Sequence, residues 1–358
     1  MARIAFFAPM KSPNHPVPSG DREMARNVMT ALSDDTRGYD VTLVSEFRCY
    51  DGKGDVAVQD ALFQEASAEA SRLIALGGWS AWVTYHSYYK APDLLGPVVS
   101  QAMGIPYIQI EATRAAKRLG GPWDRFARAA DASCDAASAI FYLTEQDGEG
   151  LAPYRRDDQP QVRLHPFLTQ EDVSTGHRPA APAFLSVGMM RQGDKLASYQ
   201  IIAEILTHLT GDWTYEIAGD GPARAEVEAL FAPFGSKVRF LGQLDKQNLQ
   251  KAYGHARAFL WPGVNEAFGM VYLEAQAAGV PVVAENRPGV RDVLPPPALS
   301  SVADTAHLAQ SLSRLLNDAD YNAERSAQAR DLVKQRHLLG AARETLWSVL
   351  DPLLKGAT

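Results

Sequence analysis

Glu266 and Glu274, in the stretch WPGVNEAFGMVYLEAQAAG from Trp261 to Gly279, are the side chains whose type and spacing most plainly invite chemistry. An apolar run, AFLWPG, ends in Pro-Gly. A loop then carries Glu266, and Phe268-Gly269-Met270 opens a helix that holds Glu274. Phe268, Val271, Tyr272, Ala275 and Ala278 recur at helical spacing, which predicts one buried face with Glu274 off it. A helix start offers unpaired backbone N–H groups and the positive end of the helix dipole, so an anion is favoured near Phe268 to Met270. Glu274 then lies roughly 9 Å further along, at 1.5 Å per residue, with Glu266 on the other side of the anion position. Carboxylates so far apart are poorly placed to share a proton, but they can grip the two ends of an elongated ligand whose middle is a phosphate. A solvated loop Glu and a half-exposed helical Glu explain the same spacing without a ligand.

The elements that must hold this stretch belong to an alternating α/β chain. Its 358 residues exceed one ordinary domain and suggest two. A hydrophobic fraction of 46% is enough for sizeable cores, and a net charge of -7 argues against nucleic acid as a partner. Cys49 and Cys134 lack metal-ligand spacing, which points to reduced thiols in a cytoplasmic setting. ARIAFFAP reads as a first buried strand rather than a signal segment, and no run of ~18 apolar residues predicts a transmembrane helix.

In the first half RIAFFA, YDVTLVSEF (39–47), AWVTYHS, GIPYIQIEA and SAIFYLT are expected strands, with a helix over 56–76. Strand and helix alternation implies a parallel sheet with ligands at the strand C-termini. Gly20 lies in the loop after the first strand, where it admits close approach of a ligand or serves a simple helix cap. His86 and Glu111 stand at the ends of later strands. Glu111 is a candidate for positioning a substrate hydroxyl, or for a structural pair with Arg114. Residues 114–128 collect Arg114, Lys117, Arg118, Arg125 and Arg128 with Trp123 and Phe126, interrupted by Gly120-Gly121-Pro122. This segment fits peripheral contact with an anionic membrane or lipid acceptor, or a solvated helix face. STGHRPAAPA (174–183) reads as a linker, and FLSVG restarts the alternation. Leu346, Trp347, Leu350, Leu353 and Leu354 give the last helix an apolar face.

The pattern from Glu266 to Glu274, with its preceding strand and the following EAQAAGVPVVAENRPGVRDVL, resembles the donor-site signature of glycosyltransferase family 4, retaining enzymes of the GT-B fold. FLSVG, IAGDGP and RFLGQL precede it in that family's order. The resemblance implies two Rossmann-like doubly wound domains facing an interdomain cleft: an acceptor domain over 1–175, a nucleotide-sugar domain over 176–335, and a terminal helix over 336–358 crossing back to the first domain. It implies that Glu266 contacts the donor sugar, that Glu274 contacts the ribose, and that Phe268, Gly269 and Met270 offer backbone to the sugar or diphosphate. Arg191 and Lys195 become the diphosphate cations, although Met189 stands where the family usually has Arg. Gly188, Gly219, Gly221 and Gly242 become donor-side turns. His86 matches the second His of an HxH-like strand end, whereas Glu111 and Ala112 occupy the stretch where many members have a catalytic-site His.

The activity so implied is transfer of a hexose with retention, without metal or further cofactor, from a nucleotide sugar to an acceptor hydroxyl. The donor is expected to be UDP-linked rather than GDP-linked, and the acceptor a lipid or lipid-linked glycan. The location expected is cytoplasmic, extending to the inner membrane face. Two rival readings remain at this stage: a dinucleotide-dependent oxidoreductase, which lacks G-x-G-x-x-G after the first strand, and a sugar-nucleotide-binding protein without turnover.

Overall fold

The computed structural model describes residues 2–34, 36–174 and 182–356. The linker expected at 174–183 lies largely outside the described residues. Contacts divide the chain into Met1–Thr169 with Leu339–Thr358, and Gln170–Leu338.

In the first unit six strands alternate with helices. They are β1 (Ala2–Phe7), β2 (Tyr39–Leu43), β3 (Ala81–Ser87), β4 (Tyr107–Ala112), β5 (Ala139–Tyr142) and β6 (Gln161–Arg163). All pair in parallel, in the order β2-β1-β3-β4-β5-β6. The helices between them are α1 (Gly20–Leu32), α2 (Val56–Leu76), α3 (Gly96–Met103), α4 (Asp124–Ala136) and α5 (Glu145–Leu151). Burial on both faces explains why the strands read as continuous apolar runs: Ile4, Ala5, Phe6 and Phe7 are all fully buried. The second strand ends at Leu43 rather than Phe47. There the Ser45 hydroxyl bonds to Glu69 at 2.6 Å and accepts the Phe47 N–H at 3.1 Å, a local turn that competes with ladder pairing.

The second unit repeats the plan with β7 (Ala183–Val187), β8 (Thr214–Ala218), β9 (Val238–Gly242), β10 (Ala258–Leu260), β11 (Val282–Glu285) and β12 (Leu299–Ser300). Their order is β12-β11-β10-β7-β8-β9, again parallel. Seven helices accompany them: α6 (Asp194–Thr207), α7 (Arg224–Phe231), α8 (Lys246–His255), α9 (Met270–Ala277), α10 (Val290–Val293), α11 (Thr305–Asn317) and α12 (Ala319–Arg336).

The last helix, α13 (Leu339–Gly356), returns to the first unit and packs along α1. Its apolar face is close to the one read from the sequence: Leu346, Trp347, Leu350 and Leu354 are buried, whereas Leu353 is half-buried. Trp347 is 1% exposed, donates from Nε1 to the Ala31 carbonyl at 3.3 Å, and lies 5.2 Å from the Tyr39 ring. Cys49 and Cys134 are buried free thiols. Among the described residues no helix is long and apolar enough to cross a membrane.

Trp347 is the largest of the buried side chains through which the terminal helix is held. Trp347→Ala is expected to destabilise the first unit by about 3–5 kcal/mol, the usual cost of emptying a core aromatic site. Chemical denaturation checks this, and a loss below about 1 kcal/mol contradicts the anchoring role.

Candidate functional site

The second unit gathers its candidate residues at the C-terminal ends of its strands. Gly188 follows β7, Gly219 and Gly221 follow β8, and Gly242 closes β9. Backbone bonds knit these turns: Gly188 N–H to Ala218 O at 3.0 Å, Met190 N–H to Asp220 O at 2.9 Å, and Gly219 N–H to Gly242 O at 2.8 Å. A side chain on Gly219 (φ 143°) would collide with the Gly188 carbonyl, and one on Gly221 (φ 155°) with that of Met190. These two glycines therefore have a structural cause, close loop-to-loop approach, independent of any ligand. Gly188 abuts the Trp261 ring for the same kind of reason.

Trp261, fully buried, organises the centre of this edge. Its Nε1–H donates to Glu266 Oε1 at 2.9 Å, and the same oxygen is ion-paired to Lys195. Lys195 Nζ also lies 5.2 Å from the Trp261 ring centroid, so one aromatic ring fixes both ends of the pair. Two further bonds tie the Glu266 loop to the start of α6: Asn265 Nδ2 to Asp194 at 2.9 Å and Val264 N–H to the Ser198 hydroxyl at 3.2 Å. Lys195 is thus the partner of Glu266, an intimacy that chain spacing alone does not reveal. Arg191 is exposed and carries no side-chain hydrogen bond or ion pair among the described residues.

The helix after Glu266 begins at Met270, later than the sequence pattern suggested, because Gly269 caps it in the left-handed region (φ 76°). Phe268 is buried ahead of the helix rather than on it. The backbone N–H groups of Phe268 and Gly269 have no acceptor among the described residues. The helix is also buried more fully than a single stripe predicts, with Leu273, Gln276 and Ala277 covered as well. Glu274 remains half-buried and accepts from the Tyr253 hydroxyl at 3.0 Å, a partner that the sequence reading missed.

In the first unit Asp21, His86 and Glu111 converge. His86 and Glu111 end the adjacent strands β3 and β4, and both are non-glycine residues in the left-handed region, φ 60° and 59°. Such conformations cost of order 1–3 kcal/mol each and persist where surrounding structure imposes them. His86 Nδ1 is 3.0 Å from Asp21 Oδ1 and 3.9 Å from Glu111 Oε2. Burial opposes the imidazolium, yet the Glu111 and Asp21 carboxylates outweigh it and lift His86 to about 9. Burial raises Glu111 to about 7 against the lowering influence of His86. Asp21, in the first turn of α1, is not singled out by the sequence, because an acidic residue just after Ser19-Gly20 is an ordinary helix start. Gly20 beside it has open space where a side chain would stand.

Two readings of the basic segment separate here. Arg114 bonds to Asp135 at 2.5 Å and approaches Asp131, not Glu111; Arg125 pairs with Asp60, and Arg128 with Asp124 at 2.8 Å. Phe126 is fully buried. Carboxylates of the fold itself therefore neutralise much of the segment's charge. Among the described residues no three His, Cys, Asp or Glu side chains cluster as a metal site.

Residues 181–318 match the family described as glycosyl transferases group 1. Over 149 residues the chain is 30% identical to sulfoquinovosyl transferase SQD2 of Arabidopsis thaliana, covering 42% of this chain and 26% of that protein. It is 27% identical over 256 residues to the 2-deoxystreptamine glucosyltransferase of Streptomyces kanamyceticus, covering 63% of this chain and 65% of that enzyme. The chain thus spans about a quarter of the first relative's length and just under two thirds of the second's. Among solved structures, Alr3699/HepE of Anabaena in complex with UDP aligns with a TM-score of 0.73 at 13% identity, over 98% of this chain and 100% of that one. A likeness at that identity carries the fold. The match to the glycosyl transferases group 1 model lies within the second unit and covers under half of the chain, and the two parallel six-stranded sheets are those of the GT-B fold.

Proposed function

We propose that the protein is a retaining glycosyltransferase that moves a hexose from a nucleotide diphosphate sugar, UDP-linked in preference to GDP-linked, to an acceptor hydroxyl. The observation that carries this reading is the Lys195–Glu266 pair on Trp261, beside a helix start with free N–H groups and followed by Glu274. A cation and backbone donors suit a diphosphate whose negative charge grows as the glycosidic bond breaks. Glu266 suits sugar hydroxyls and Glu274 the ribose. The group 1 match supports the assignment, and a solved neighbour that holds UDP supports a uridine nucleotide.

On this reading the bond from the anomeric carbon to the diphosphate oxygen breaks while the acceptor oxygen bonds to the same face. The acceptor's proton passes to the departing diphosphate oxygen, so no protein nucleophile or metal is needed. Lys195, with Arg191 free to swing in, neutralises the leaving group. Binding of the donor draws Lys195 partly from Glu266 and leaves that carboxylate, still held by Trp261, to accept from sugar hydroxyls. His86 and Glu111 serve to orient substrate hydroxyls, with Gly20 leaving room beside them.

The reading is tested by melting shifts with a panel of nucleotide sugars and nucleoside diphosphates, followed by product mass with the best donor. Stabilisation by UDP and its sugars is expected. Stabilisation by NAD alone would favour the oxidoreductase, and donor binding without any transfer would favour a binding protein. Glu274→Ala is expected to weaken nucleotide binding tenfold or more, since charged hydrogen bonds are worth about 1.5–3 kcal/mol, and Tyr253→Phe to weaken it less. Lys195→Ala is expected to lower kcat about 100- to 1,000-fold while leaving the fold intact. Full transfer in both the Glu274 and the Lys195 variant would sink the site assignment.

His86 supplies a pH test. Its folded value near 9 lies above the ordinary 6.5, so the stability it contributes is complete below 6.5 and is lost as pH rises through about 9. Glu111, raised from 4.5 to about 7, costs stability as pH rises between those values and so overlaps only the lower end of that window. Calorimetry from pH 6.5 to 9.5 should show stability falling in the wild type and a flatter profile in His86→Asn. Identical slopes would remove the ion cluster from the account.

A further inference from the structure

One group of side chains in the first unit is not used by the donor chemistry. From His86 an aromatic ladder runs outward: His86 to Tyr88 at 5.1 Å between centroids, Tyr88 to Tyr89 at 5.6 Å, and Tyr89 to Trp123 at 5.7 Å. Two cations sit against its outer end. Lys90 Nζ is 5.7 Å from both the Tyr89 and Trp123 centroids, and the Arg118 guanidinium is 4.8 Å and 5.5 Å from the same two rings. Like charges gathered on one pair of rings repel each other, and the arrangement is relieved by an anion between them.

The neighbourhood withholds that anion. Arg114, Arg125 and Arg128 each have a carboxylate, whereas Lys90 and Arg118 have no hydrogen-bonded or ion-paired carboxylate among the described residues. Arg118 Nε is shut off from solvent with no hydrogen-bond partner among the described residues. The nearby acids are committed elsewhere. Asp124 holds Arg128 and the Gly120 N–H, and the Asp51 carboxylate accepts from the N–H groups of Lys53, Gly54 and Asp55 and from Gln59. The Asp51 backbone also fixes the ladder's end, with its N–H donating to Lys90 O at 2.9 Å and its carbonyl accepting from Trp123 Nε1 at 3.1 Å. The cations are therefore held by a rigid frame and not by a counter-charge.

We infer that Lys90 and Arg118, on the Tyr89–Trp123 rings, form the anchor for an anionic group of the acceptor, whose sugar or polyol ring lies along the aromatic ladder toward His86. Rings of this kind present flat apolar faces to the C–H faces of a sugar, and the paired cations select a phosphate or carboxylate. The inference rests on the glycosyl-transfer reading for the word acceptor, but the anion site itself stands on geometry in the first unit. The phosphate can come from a soluble sugar phosphate or from a lipid headgroup, and the chemistry at the anchor is the same.

Calorimetric titration of the full chain with hexose 6-phosphate and with the parent hexose forms one arm. Sedimentation with phosphatidylglycerol and with phosphatidylcholine vesicles forms the other. In one arm at least, the anionic probe should bind tenfold or more tightly than its uncharged or zwitterionic counterpart, and that arm identifies the source. Lys90→Gln with Arg118→Gln should abolish the preference, while Arg118→Lys, which keeps the charge, should retain most of it. UDP melting shifts on the same samples report the donor site separately. Absence of a UDP response with the anion preference intact would remove the glycosyl-transfer reading and leave the anchor. Equal binding of charged and uncharged probes in both arms, or an unchanged preference in the double variant, would overturn the anchor.

Discussion

A parallel sheet covered by helices on both faces has only its strand ends free to meet a ligand, and that constraint governs both halves of this protein. Each six-stranded sheet spends its apolar residues on burial, so chemistry is pushed to the C-terminal edge, where loops turn into helix starts. The site residues lie at the last positions of strands, on the loops that follow them or in the next helix. In the second unit the edge is rigid because its turns bond to one another through the backbone, and Gly219 and Gly221 are what allow the chains to approach so closely.

Much of the charge at these edges is paired within the fold, Lys90 and Arg118 being exceptions. In the second unit Lys195 and Glu266 neutralise each other against a buried indole, which keeps a cation and a carboxylate oriented at low cost in side-chain freedom. In the first unit two carboxylates hold one imidazolium, and two strand ends accept unfavourable backbone geometry to do so. Left-handed backbone and paired charge coincide at these strand ends, the combination that a functional site favours.

The alternation of strands and helices, the ligand-facing strand ends and the terminal helix were legible because they follow from periodicity and glycine placement; the short edge strands β6 and β12 were not, being too brief to show a pattern. The pairing of Glu266 with Lys195 was not, because it spans distant positions through Trp261, which reads from sequence as the end of a buried strand. Asp21 was hidden in the same way: an acidic residue after Ser19-Gly20 is an ordinary helix start, and only the fold brings His86 to it. The extra length expected of the second strand failed on a single hydroxyl, Ser45, that offers the backbone a turn. Composition overstates the unpaired charge of the basic segment at 114–128, since Asp60, Asp124, Asp131 and Asp135 are set by the fold beside Arg114, Arg125 and Arg128.

The central proposal is that the second unit's edge breaks the bond between an anomeric carbon and a nucleoside diphosphate while a bond from that carbon to an acceptor oxygen forms on the same face. The most direct measurement is proton NMR of the transfer reaction, following the anomeric signal of donor and product together with release of the nucleoside diphosphate. The account predicts stoichiometric release of nucleoside diphosphate and a product whose anomeric coupling matches that of the donor. An inverted anomer, or a product formed without release of the diphosphate, would contradict it.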